Sequence, residues 1–77
     1  MTAIFVNGVK HRFPEELIEW NDIKQLADPH DEKGLLIVKY YYIDHADMYR
    51  SGYLEPGKDR IAVVEGMRFA AIHSGGA

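Results

Sequence analysis

Asn7-Gly8 stands between two short β-rich runs, and no other feature restricts the fold of this chain as much. Both residues accept positive φ, as a two-residue hairpin turn requires. Residues 3–7 (AIFVN) and 9–13 (VKHRF) are therefore expected to pair antiparallel, with Val6 opposite Val9 and Ile4 opposite His11. Lys10 and Arg12 then point to the other, solvated face. Pro14 ends the second strand.

After Pro14 the period of the apolar residues changes. Trp20, Ile23, Leu26 and Ala27 follow helical spacing within residues 17–28, which predicts a short helix of about two to three turns. A cap at Glu19 would make Ile18 and Ile23 a hydrophobic staple. Glu15, Glu16, Glu19 and Asp22 crowd the start, where the helix dipole favours acid. Asp28-Pro29 closes the helix, because a residue before proline avoids the α region.

Residues 30–34 read as a polar loop. The next run, 35–43 (LLIVKYYYI), is the strongest strand in the chain, β-branched and aromatic throughout. Lys39 marks its wet face together with Leu35, Ile37 and Tyr41. Leu36, Val38, Tyr40 and Tyr42 are expected to face the core. Residues 44–52 read as irregular, with "DHAD" as a polar turn, and Pro56-Gly57 suits the middle of a type II turn. Two further strands, 60–64 and 67–72, flank Glu65-Gly66, a second hairpin signal. Met67 and Phe69 are expected inside, with Arg68, Ala70 and Ile72 outside. The order strand, strand, helix, strand, strand, strand fits an α+β roll. A helical crossover can return the chain parallel to an earlier strand, which is the β-grasp plan: a mixed four- to five-stranded sheet around one short helix.

With 77 residues, one domain is expected, and folding buries only about 60% of the chain's surface. A core that small leaves little room for an enclosed substrate cleft, so size leans away from an enzyme and toward a binding or carrier module. The net charge is −3, and the nine Lys and Arg are scattered. That argues against nucleic acid as the main partner. The absence of cysteine rules out a disulfide framework and a thiolate zinc site, and it fits a reducing cytoplasm. No signal-peptide pattern and no bilayer-length apolar run is present, so neither export nor a membrane is expected. No phosphate-cradling glycine loop or other cofactor motif appears.

The segments "IFVNG", "LIEWNDIKQLAD", "SGYLEPG" and "VVEGMRFAAI" together resemble the prokaryotic ubiquitin-like families, above all the multiubiquitin-type domain of the β-grasp superfamily. Such a domain shows a strand ending in Asn-Gly, a short helix ending near Leu-Ala, and a late Gly-Met-x-Phe strand. Here these are Asn7-Gly8, Leu26-Ala27 and Gly66-Met67-Arg68-Phe69. The resemblance covers nearly the whole chain. Gly75-Gly76 is similar to the diglycine of ubiquitin. The resemblance divides the chain into a body, residues 1–72, and a flexible diglycine tail, residues 73–77.

What the resemblance implies is a monomeric bacterial protein modifier with no cofactor and no catalytic residue of its own. An activating enzyme would adenylate the terminal glycine, and a conjugating enzyme would deliver it to a target amine as an isopeptide. A deubiquitinase-like peptidase is the implied processing partner. Some such systems are linked to antiviral defence. Glycines suit a tail that threads a narrow channel, and five extended residues reach roughly 17 Å. Ala77 departs from the pattern and must be removed if Gly76 is the donor. Ser74 also replaces the arginine before ubiquitin's diglycine. Two other readings share the fold: a sulfur carrier with a C-terminal thiocarboxylate, and a β-grasp binding module with an inert tail.

The outward face gathers Ile37, Lys39, Arg68, Ala70 and Ile72, with His73 at its edge, as a candidate partner-binding surface. Exposed apolar residues are informative only when clustered. His11, His30 and His45, even with Asp31, Asp44 or Asp47, match no zinc spacing. Tyr40 to Tyr42 are expected to pack within and across strands rather than to stack on bases.

Overall fold

A computed structural model describes residues 1–30, 36–58 and 60–73 of the chain. The first hairpin joins β1 (Thr2–Val6) and β2 (Val9–Phe13). Its register is the one read from the turn, with Val6 opposite Val9 and Ile4 opposite His11. Asn7 and Gly8 adopt φ of +50° and +83°, the left-handed pair that matches the twist of the two strands.

Residues 17–28 divide in a way the periodicity did not anticipate. Leu17–Ile18 forms a two-residue strand, β3, and the helix α1 runs Trp20–Ala27. Glu19 is the N-cap with an extended backbone. Its N–H donates to the Asp22 carboxylate at 2.9 Å, so an orphan donor of the first turn is satisfied. Ile18 and Ile23 flank the cap, both fully buried. Asp28 closes the helix, its N–H donating to the Lys24 carbonyl at 2.8 Å. Leu26, expected on the apolar stripe, is 37% exposed. Eight residues make little more than two turns, and Trp20 and Ile23 are the ones buried. The Trp20 indole N–H donates to the Leu36 carbonyl at 2.8 Å inside the core, which pins the start of the helix to the sheet.

The long strand β4 spans Leu36–Ile43. Leu36 and Val38 are buried and Ile37 is exposed, as its alternation requires. Residues 44–52, read as irregular, hold the largest correction. Only 44–48 turn, and Tyr49–Leu54 forms β5, paired antiparallel with β4 from Ile43–Tyr49 to Val38–Leu54. Ser51-Gly52 lowers the local strand propensity, and pairing with β4 overrides it. The expected Pro56-Gly57 turn is present, with φ of +73° at Gly57 and Lys58 N–H donating to the Glu55 carbonyl.

The second hairpin signal also resolves differently. Val64 to Met67 do close a turn, with Met67 N–H to Val64 O at 2.9 Å. The strand before it, β6 (Ile61–Ala62), does not pair with the strand after it. It pairs with β3 instead, Leu17 opposite Ala62 and Ile18 opposite Ile61. The strand after it, β7 (Met67–His73), enters the main sheet between β1 and β4. The sheet order is β2-β1-β7-β4-β5, with β1 and β7 parallel and the other neighbours antiparallel. The chain is thus α+β, a mixed five-stranded sheet against one short helix, a β-grasp-like roll. One face of the sheet supplies Ile4, Val6, Phe13, Val38, Met67 and Phe69 to the core, and Ile18, Trp20 and Ile23 cover it. Among the described residues no polar or charged side chain is buried.

Candidate interaction face

The other face of the sheet carries the candidate surface, and its composition follows from strand register. Ile37 lies opposite Ile72, Lys39 opposite Ala70, and Tyr41 opposite Arg68. Residues opposite each other share a face, so five of the residues read from the sequence, Ile37, Lys39, Arg68, Ala70 and Ile72, are brought together here. Ile37 is 40% and Ile72 61% exposed, an apolar pair left in solvent near the end of β7.

The register extends the face beyond those residues. Phe5 neighbours Arg68 on β7 and Lys10 on β2, and the Arg68 guanidinium lies 4.5 Å from the centre of the Phe5 ring. That distance is within cation–π range. Ala3 and Arg12 continue the face on one side. Tyr53, opposite Lys39, and Tyr49, opposite Ile43, continue it on the other. The signal that would have found them is period-two parity carried across strands, which needs the strand order.

The outer face of the sheet is cationic. Lys10, Arg12, Lys39 and Arg68 all stand on the outer face, and no acidic residue occupies an outward strand position. The acids of this net-negative chain lie mainly at the turns and around α1. Glu15, Glu16, Glu19 and Asp22 line a depression with Arg60, whose guanidinium is 3.4 Å from the Glu19 carboxylate. A cationic, aromatic face on an acidic protein favours encounter with a negatively charged partner surface.

His73 closes β7 opposite Leu36, and its Nε2 lies 2.8 Å from the Asp28 carboxylate. The ordered strand therefore runs one residue past the boundary expected for the body, and it is held to the C-terminus of the helix. Gly75, Gly76 and Ala77, the expected conjugation and processing residues, lie outside the described residues.

The β4–β5 turn is organised by Asp44. Its carboxylate accepts from the Ala46 and Met48 N–H groups at 2.9 and 3.0 Å and from Arg50 Nε at 2.8 Å. The Arg50 hydrogen bond, then that from Met48, holds the Asp44 carboxyl below its ordinary pKa against the opposing effect of desolvation. Ser51 is on the outer face, opposite Tyr41. Among the described residues, no three His, Asp or Glu side chains gather as a metal site, and no helix is long and apolar enough to cross a membrane.

No protein family matches the chain, and no curated protein or solved structure is significantly similar to it.

Proposed function

We propose that this chain is a bacterial ubiquitin-like modifier whose Gly76 carboxylate is passed to target amines by partner enzymes. The observation that supports it most is the position of β7. The last strand is central in the sheet, flanked by β1 and β4, and it leads to Ser74-Gly75-Gly76 from beside Ile37 and Ile72. A partner that grips the cationic, apolar face is then placed next to the chain that enters its active site.

The chemistry belongs to the partners. Residues beyond Gly76, Ala77 included, are first removed by a peptidase. The freed carboxylate attacks the α-phosphate of ATP, releasing pyrophosphate and forming an acyl adenylate. A partner cysteine thiolate displaces AMP to give a thioester, and a target amine displaces the thiol to give an amide. The modifier contributes an unhindered carbonyl and a recognition face.

The test is peptide mass spectrometry of the tagged chain from its host. Arg68 is the last trypsin site before the tail, so conjugates should carry a Phe69–Gly76 remnant on target lysines, and deletion of residues 75–77 should abolish them. A terminal thiocarboxylate in place of conjugates would make the protein a sulfur carrier. Partner binding that survives the deletion, with neither product found, would make it a binding module with an inert tail.

A further inference from the structure

The two edges of the sheet are built differently. β2 (Val9–Phe13) carries Lys10, His11 and Arg12 in five residues, the charged protection that discourages another strand from pairing. β5 (Tyr49–Leu54) has six residues, no proline and no lysine, and pairs with β4 in an unbroken register without a bulge. Its one charge, Arg50, is already engaged by Asp44 at 2.8 Å. Tyr49 and Tyr53 stand 59% and 65% exposed on it. Among the described residues no strand covers its outer edge.

The sequence of β5 is self-complementary about Ser51. In an antiparallel pair of two such strands, residues that meet must share a face, so the two-fold axis has to pass through a residue. With the axis at Ser51, Tyr49 meets the second copy's Tyr53, and Tyr53 meets its Tyr49. On the inner face each Arg50 meets Gly52, the residue without a side chain, so the two cations never oppose each other. Favourable aromatic pairs thus form twice, and the small serines meet each other at the axis. We propose that β5 is a homodimer edge, joining two copies into one continuous ten-stranded sheet through a two-fold axis at Ser51. The protected β2 edges then lie at the two ends, which closes the assembly at two copies. This departs from the monomer that the resemblance implies, and it stands independently of the modifier reading.

The test uses the intact chain. Sedimentation equilibrium should give twice the 8.8 kDa chain mass at high concentration, dissociating on dilution. Ser51→Lys, at an exposed position, sets two ammonium groups face to face on the axis and should give the single-chain mass throughout while keeping the wild-type circular dichroism. Because the chain has no cysteine, Ser51→Cys reports the register directly. On mild oxidation it should form a disulfide-linked dimer much faster than Lys10→Cys on the other edge. A wild-type chain that stays monomeric with equal, slow cross-linking of both variants overturns the proposal. So does a dimer that Ser51→Lys leaves intact.

Discussion

The side-chain amide of Asn7 pairs with the backbone of Ala71 as if it were another residue of the strand. Asn7 Nδ2 donates to the Ala71 carbonyl at 3.0 Å, and Ala71 N–H donates to Asn7 Oδ1 at 2.8 Å. The main-chain N–H of Asn7 still donates to Phe69 O at 2.9 Å. One step further the left-handed turn carries the backbone away, and the carboxamide takes over the ladder to β7. One residue thus sets both the local hairpin and the long-range parallel pairing.

Replacing Asn7 by glycine isolates the second role, since glycine accepts the same φ. Two part-buried hydrogen bonds at about 0.5–1.5 kcal/mol each give an expected loss of about 1–3 kcal/mol. For a domain of this size each kcal/mol lowers Tm by about 4–8 °C, so calorimetry can read it. Asn7→Asp should lose stability as well, because it keeps the acceptor but leaves the Ala71 carbonyl without its donor. An unchanged Tm in both variants would mean that the amide pairing contributes nothing.

Gly52 is required by its neighbour Tyr40. A Cβ at Gly52 would come within 2.5–2.9 Å of the Tyr40 hydroxyl and ring. Tyr40 in turn stacks on Tyr42, ring centres 6.3 Å apart at 20°. Gly52→Ala should cost about 1–3 kcal/mol by forcing that ring from its place, despite the better strand propensity of alanine. A Gly52→Ala, Tyr40→Ala double variant should recover part of the Gly52→Ala penalty relative to Tyr40→Ala alone. Additive losses in the urea midpoints would exclude the contact as the cause.

Asp44 makes the β4–β5 turn sensitive to acid. A carboxyl whose pKa is lower folded than unfolded stabilises fully above the unfolded value, and the contribution disappears as pH falls through the folded one. Asp44 is in that class, with Arg50 as the main cause. The wild type should therefore be more stable than Asp44→Asn near neutral pH, and the gap should narrow below about pH 4. Urea unfolding at both pH values measures it. A gap that does not change with pH would remove the charge of Asp44 from the explanation.

The outer face should tolerate charge reversal structurally but not functionally. Arg68→Glu gives up an exposed cation–π contact of about 0.5–1 kcal/mol and leaves the core untouched. Its unfolding midpoint should move little, and under the proposed modifier function conjugates in the host should fall sharply. Normal conjugate levels with Arg68→Glu and with Ile72→Asp would show that partners do not use this face.

The chain's local order was legible because local forces create it. The Asn7-Gly8 turn, the cap at Glu19, the stop at Asp28-Pro29 and the inside–outside alternation of Leu36–Tyr42 and Met67–Ile72 all follow from φ preference, capping and period. Sequence alone thus identified the members of the outward face on two strands and the side each would take. Which strands lie next to each other was decided only in three dimensions. Tyr49–Leu54, weakened by Ser51-Gly52, is a strand because β4 offers it partners. Ile61–Ala62 pairs with Leu17–Ile18, more than forty residues earlier, and not with the strand that follows its turn. β7 lodges between β1 and β4, and only that placement sets Ile37 against Ile72, Arg68 on Phe5, and the Asn7 amide on Ala71. Pairing energy between distant segments is released only when the chain closes on itself, so no window of neighbouring residues contains it.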